Sequence, residues 1–135
     1  MKILVLCTGN SARSQMAEGL LRHHGGKRLQ AFSAGTQPKG LNPLAVQVMK
    51  EWGIDVSGQR SKDVSEFTGQ KFDWVITVCD RAREACPLFP GARTIHWDVP
   101  DPEDLPAFRD ARDLLNSRIQ EFLSVTETAE RKKPF

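Results

Sequence analysis

The 135-residue sequence has no tyrosine, only three cysteines, and no apolar run approaching the ~20 residues that a membrane-spanning helix needs. Each shortage excludes a class. Three cysteines in a 15.1 kDa chain do not make a disulfide-stapled miniprotein, and a chain of this length buries roughly two thirds of the surface it exposes when unfolded. Neither sign of charge dominates: 19 Lys and Arg stand against 17 Asp and Glu, a net charge of +2. A polyanion-coating protein is therefore not implied, and neither nucleic acid nor a membrane is an expected partner. The opening Met1-Lys2-Ile3-Leu4-Val5-Leu6 is too short an apolar stretch for a signal peptide and has no small-residue cleavage site behind it, so the expected location is cytoplasmic. In that setting an odd number of cysteines points to catalytic or redox use rather than to a fixed crosslink.

The remaining sequence reads as one α/β domain over residues 1–128 with a flexible basic tail at 129–135. Ile3–Leu6 and Trp74–Val78 are continuously apolar, as expected of parallel strands covered on both faces. Ala31–Ala34 is a weaker strand, and Arg93–Trp97 is a fourth, following the breakers Pro87, Pro90 and Gly91. A first helix begins near Ser14, turns Met16, Ala17, Leu20 and Leu21 inward, and stops at Gly25-Gly26. A second is capped by Asn42, opens on Pro43 and ends at Gly53, with Ala45, Val48, Met49 and Trp52 on its inner face. Phe108, Ala111, Leu115, Ile119 and Phe122 define a last, amphipathic helix. The alternation predicts a four-stranded parallel sheet with helices on both faces, whose working site lies at the carboxyl ends of the strands. Two strands deliver a cysteine there: Cys7 after the first and Cys79 after the third.

Between the first strand and the first helix runs Cys7-Thr8-Gly9-Asn10-Ser11-Ala12-Arg13-Ser14. A loop curled at a helix N-terminus points successive backbone N–H groups into one concavity, and the helix dipole adds positive potential, so residues 8–14 form a seat for a tetrahedral oxyanion. Gly9 permits the curl and Arg13 offers a planar fork to two anion oxygens. The same field favours Cys7 as thiolate, a nucleophile that Ser14 can hydrogen-bond, while Asn10 ties the loop to itself. Asp101, in Asp101-Pro102 after the fourth strand, lies at the same sheet edge and is placed for general acid work.

Cys-x5-Arg-Ser near the start, with Asp101-Pro102 some ninety residues on, resembles the low-molecular-weight protein tyrosine phosphatase superfamily and, within it, the arsenate reductases that share its fold. The resemblance covers nearly the whole chain. It implies that Cys7 is the nucleophile and that Asp101 matches the aspartate that protonates the leaving oxygen. Phosphatases of this family usually wall the phenol pocket with tyrosines after the Asp-Pro pair and often carry a second cysteine in the loop; here Glu103-Asp104 follow, and Ala12 takes the cysteine's place. Cys79 and Cys86 instead resemble the redox pair of the thioredoxin-coupled reductases. The resemblance then implies arsenate reduction through a Cys7, Cys79 and Cys86 disulfide relay, with thioredoxin as electron donor and no tightly bound cofactor. A helix over 79–86 would hold the two alpha carbons about 10 Å apart, so closing that disulfide requires the segment to rearrange. Such reductases commonly hold potassium with residues matching Asn10, Glu18, Ser33 and an aspartate; this chain reads Gln59-Arg60-Ser61-Lys62, and a lysine ammonium can replace the ion, so no metal is assigned. His23 and His24 are read as solvated surface.

Two other functions compete. One is a phosphomonoester phosphatase working through a Cys7 phosphocysteine; the other is a non-enzymatic oxyanion-binding or redox-sensing regulator. A zinc site from Cys79, Cys86 and His96 is disfavoured by its spacing. The chain is expected to act as a monomer on arsenate or a phosphate-like oxyanion.

Overall fold

The computed structural model describes residues 1–79 and 89–131. A four-stranded, wholly parallel sheet is built from β1 (Lys2–Cys7), β2 (Gln30–Gly35), β3 (Trp74–Thr77) and β4 (Arg93–His96), in the spatial order β2-β1-β3-β4. β1 is central, and Ile3, Leu4, Val5, Leu6 and Cys7 are all buried, which is why its sequence is apolar without alternation. Edge strand β4 is correspondingly more exposed.

Among the described residues three α-helices, α1 (Arg13–Gly25), α2 (Pro43–Lys50) and α3 (Leu105–Arg131), pack on one another. α1 lies against β1 and β2, and Phe122 of α3 meets Trp74 of β3 edge to face at 5.1 Å between ring centroids. Phe32 of β2 meets a 3-10 turn at Val64–Phe67, where Phe32, Phe67, Phe72 and Phe89 form a chain of tilted and edge-on rings. No helix among the described residues is long and apolar enough to cross a membrane.

The α2 start matches its sequence signals, since Asn42 Oδ1 accepts from the Leu44 N–H at 2.8 Å and Pro43 takes the first helical position. Its end does not. Regular helix stops at Lys50, and the chain turns through Glu51 to Gly53, where Gly53 adopts φ +72°. Trp52, expected on the inner face, is consequently 39% exposed and stacks under the Arg112 guanidinium at 4.0 Å from its ring centroid. His24 is half-buried rather than solvated, paired through Nε2 with Asn116 Oδ1 at 2.7 Å on α3. α3 carries regular backbone through Arg131, across the boundary expected at 128, and residues 132–135 lie outside the described residues.

Candidate active site

The strand order places a site before any side chain is considered. The chain runs from β1 out to β2 on one side and from β3 out to β4 on the other, so it leaves the neighbouring β1 and β3 carboxyl ends in diverging directions and opens a crevice there. The β1–α1 loop and the end of β3 border it. They are stitched together by the Val78 N–H donating to the Leu6 carbonyl at 3.0 Å.

The loop has its carbonyls turned outward. Those of Thr8, Gly9 and Ser11 accept from the N–H groups of Gln37, Lys39 and Asn42 at 2.8, 2.9 and 3.0 Å, and that of Asn10 accepts from Gln15 Nε2 at 3.0 Å. Because a trans peptide sets each N–H opposite the preceding carbonyl, the N–H groups of Gly9, Asn10, Ser11 and Ala12 face the other way, into the crevice. α1 begins directly afterwards, and Ala12 offers no side-chain cap to its first turn. Those unpaired N–H groups and the positive end of the dipole complete a cup for an anion. Asn10 holds the left-handed turn at φ +43°. Gly35 lies so close beneath that a Cβ there would fall 2.5 Å from the Thr8 carbonyl oxygen.

Cys7 is 3% exposed, with Sγ 2.8 Å from Ser14 Oγ. Asn10 Nδ2 donates to Ser14 Oγ at 2.8 Å, which leaves the serine hydrogen available to the Cys7 sulfur. The same amide donates to Ser33 Oγ at 2.9 Å, and Ser33 donates to Glu18 Oε1 at 2.7 Å. Asn10 Oδ1 accepts from Gln15 Nε2 at 3.0 Å and from the Lys62 N–H at 2.8 Å, fixing which way the amide points. Glu18, the buried carboxylate that ends this chain, is neutralised by Arg22 at 3.1 Å and Lys62 Nζ at 3.7 Å. Burial pushes the Lys62 ammonium below the ordinary lysine range, opposed by the attraction of Glu18. Lysine thus stands beside Asn10, Ser33 and Glu18.

Arg13 is held from behind: Nη1 donates to the Val99 carbonyl at 2.8 Å and to that of Val78 at 3.4 Å, while Nη2 lies 3.7 Å from Asp101 Oδ1. Asp101 is three-quarters exposed. On the other side Thr8 Oγ1 and Cys79 Sγ are 3.2 Å apart. A cavity of about 560 Å³ is lined by Cys7, Thr8, Gly9, Ser11, Ala12 and Arg13 from the loop, by Cys79, Asp101 and Pro102, and by Lys39, Asn42 and Phe108. The structure therefore brings Cys7, Arg13, Cys79 and Asp101 to one crevice, with Asn10 and Ser14 in its supporting network. Cys86 falls at 80–88, outside the described residues, as does the rearrangement expected there. His96 Nδ1 is paired with Thr77 Oγ1 at 2.8 Å. Lys39, Asn42 and Phe108 are lining residues that the sequence does not point to: Asn42 reads as a helix cap, Phe108 as helix core, and no local motif marks Lys39.

Residues 2–134 match the model of the family described as low molecular weight phosphotyrosine protein phosphatase. An arsenate reductase of Halalkalibacterium halodurans is 42% identical over 129 residues, covering 89% of this chain and 93% of its own. Among solved structures, the thioredoxin-dependent arsenate reductase of Corynebacterium glutamicum aligns with a TM-score of 0.83 at 26% identity, over 95% of this chain and 62% of that one. An arginine phosphatase from Geobacillus stearothermophilus aligns at 0.84 and 25% identity, over 99% and 97% of the two chains.

Proposed function

The chain belongs to the low molecular weight phosphotyrosine protein phosphatase family, and on that footing we propose that it is an arsenate reductase regenerated by thioredoxin. The fold itself does not choose between reductase and phosphatase, since one of each aligns with nearly the same TM-score. The observation that carries the reading is the second thiol: Cys79 lines the same cavity as Cys7 and lies against Thr8 of the anion loop. The 42% identity to an arsenate reductase supports it, as does a chain without tyrosine to wall an aryl pocket.

Arsenate enters the cup, its oxygens accepting from the loop N–H groups and from Arg13. The Cys7 thiolate attacks arsenic and a hydroxide leaves as water on a proton from Asp101, giving a thioester of As(V). The Cys79 thiolate then attacks Cys7 Sγ. A sulfur–sulfur bond forms, the arsenic–sulfur bond breaks, and its electron pair stays on arsenic, which departs as arsenite. Cys86 attacks Cys79 Sγ and returns Cys7 as thiolate; a dithiol of thioredoxin reduces the Cys79–Cys86 disulfide and is itself oxidised. A thioredoxin donor fits a cytoplasmic location, and one chain carries Cys7, Cys79, Cys86, Arg13 and Asp101.

Phosphorus does not accept that electron pair, so a phosphomonoester in the same cup leads to hydrolysis of a Cys7 phosphocysteine, with Asp101 as acid. Purified protein given arsenate, thioredoxin, thioredoxin reductase and NADPH is expected to oxidise NADPH in an arsenate-dependent manner. Hydrolysis of an aryl phosphate with no arsenate-dependent oxidation would reverse the assignment in favour of the phosphatase.

A further inference from the structure

The Lys39 backbone is pinned to the loop: its N–H donates to the Gly9 carbonyl at 2.9 Å, and the next N–H, of Gly40 at φ +93°, donates to Ser61 Oγ at 3.1 Å. Ser61 Oγ in turn donates to the Gly9 carbonyl at 3.3 Å. The aliphatic stem of Lys39 lies over Gly9, so that a Cβ on Gly9 would come 3.2 Å from Lys39 Cδ. A side chain larger than glycine's at position 9 would displace it. The residue is exposed, lines the cavity, and among the described residues pairs with no carboxylate. Arg13, the other cation among the described lining residues, shares its charge with Asp101.

We infer that Lys39 is a substrate-binding residue that selects the doubly charged oxyanion, its ammonium meeting oxygens that the loop N–H groups and Arg13 leave uncovered. Lys39 lines the same cavity as the loop and Arg13, and it is an exposed residue whose stem lies over Gly9. Tetrahedral oxyanions such as phosphate and arsenate carry a second negative charge over much of the neutral range, and this charge lies on the oxygens away from the nucleophile. Arsenite is uncharged at the same pH. The ammonium therefore holds the substrate and lets the product go, which makes its contribution one to binding and not to the chemical step. The inference rests on the oxyanion cup but not on whether the bound anion is reduced or hydrolysed.

Lys39→Met keeps the stem over Gly9 and removes the charge, and Lys39→Arg restores the charge. Calorimetry with inorganic phosphate should show about tenfold weaker binding to Lys39→Met, the factor carried by one hydrogen bond to a charged group. KM for arsenate should rise by the same factor with kcat within about twofold, and Lys39→Arg should recover most of the affinity. Parental phosphate affinity in Lys39→Met, or a fall in kcat at unchanged KM, would overturn the inference. Equal weakness of the methionine and arginine variants together with a lowered melting temperature would also overturn it, because the role would then be loop packing. Phosphate affinity is read without turnover, so a protein that binds phosphate through Lys39 but reduces no arsenate would refute the reductase and sustain this inference.

Discussion

Gly35→Ala isolates the contribution of loop placement, because it adds one methyl group beneath the loop and replaces no side chain that carries chemistry. Gly35 closes β2 opposite Cys7 in the parallel register, and its backbone is not in the left-handed region, so alanine itself is unstrained there. The added carbon would lie 2.5 Å from the Thr8 carbonyl oxygen and 2.8 Å from the Asn10 nitrogen. Both are backbone atoms of the cup, and an unstrained contact is about 3.5 Å, so the loop must retreat by roughly 1 Å. Overpacking of that kind costs ~1–3 kcal/mol of stability, and an active-site misplacement of that size can cost about a hundredfold in rate. Gly58→Ala is the control, since nothing lies within 4 Å of its added carbon. Denaturant melts, phosphate calorimetry and coupled arsenate reduction should then show a stable, active Gly58→Ala and a Gly35→Ala crippled in affinity and turnover. Parental phosphate affinity in a Gly35→Ala protein that remains folded would refute the claim that β2 sets the position of the cup.

Arg13→Lys keeps a cation but loses the fork anchored on the Val99 carbonyl, and oxyanion affinity measured by calorimetry should drop at least tenfold; unchanged affinity would remove Arg13 from the seat. Cys79→Ser and Cys86→Ser should each stop multiple-turnover arsenate reduction while leaving aryl phosphate hydrolysis largely intact, so parental reduction rates with thioredoxin in both variants would defeat the relay. Glu51 bridges α2 to α3 through Arg109 and Arg112, at 2.8 Å each, and the two guanidinium groups hold its carboxyl down at about 2. A depressed carboxyl stabilises the fold above its unfolded value and loses that contribution as pH falls toward the folded one. Glu51→Gln should therefore melt lower than the parent at neutral pH, with the gap closing between the ordinary glutamate range and pH 2; a gap independent of pH would place the effect in packing instead.

The groups that could be read from sequence are those whose chemistry is local. Cys7, Arg13 and Ser14 belong to one short loop, and β1 shows itself because a central parallel strand is apolar at every position. Asn42 and Pro43 mark the start of α2 by capping chemistry, but its end depends on where α3 packs. Apolar spacing carries Trp52 inward on an ideal helix, whereas Arg112, far along the chain, receives its ring outside the core. Lys39 is illegible for the same reason: it reaches Gly9 only once the chain returns after β2. Lys62 is legible as a cation from the residues at 59–62, but its partner Glu18, 3.7 Å from Nζ, lies 44 positions earlier on α1.

The central position of β1 has a consequence for how reactivity arises during folding. Thr8 and Cys79 meet across 71 residues of sequence, and β3 joins the sheet directly beside β1. A chain that has formed only β1, α1 and β2 has the cysteine and the helix that follows it, but lacks one wall of the crevice and the carbonyls of Val78 and Val99 that steady Arg13. Contacts between segments so distant in sequence carry a loop-closure cost that local ones do not. The second thiol beside the anion loop is thus a property of the completed sheet: a chain without β3 and β4 in place has the loop and its helix, but neither Cys79 against Thr8 nor the carbonyls that steady Arg13.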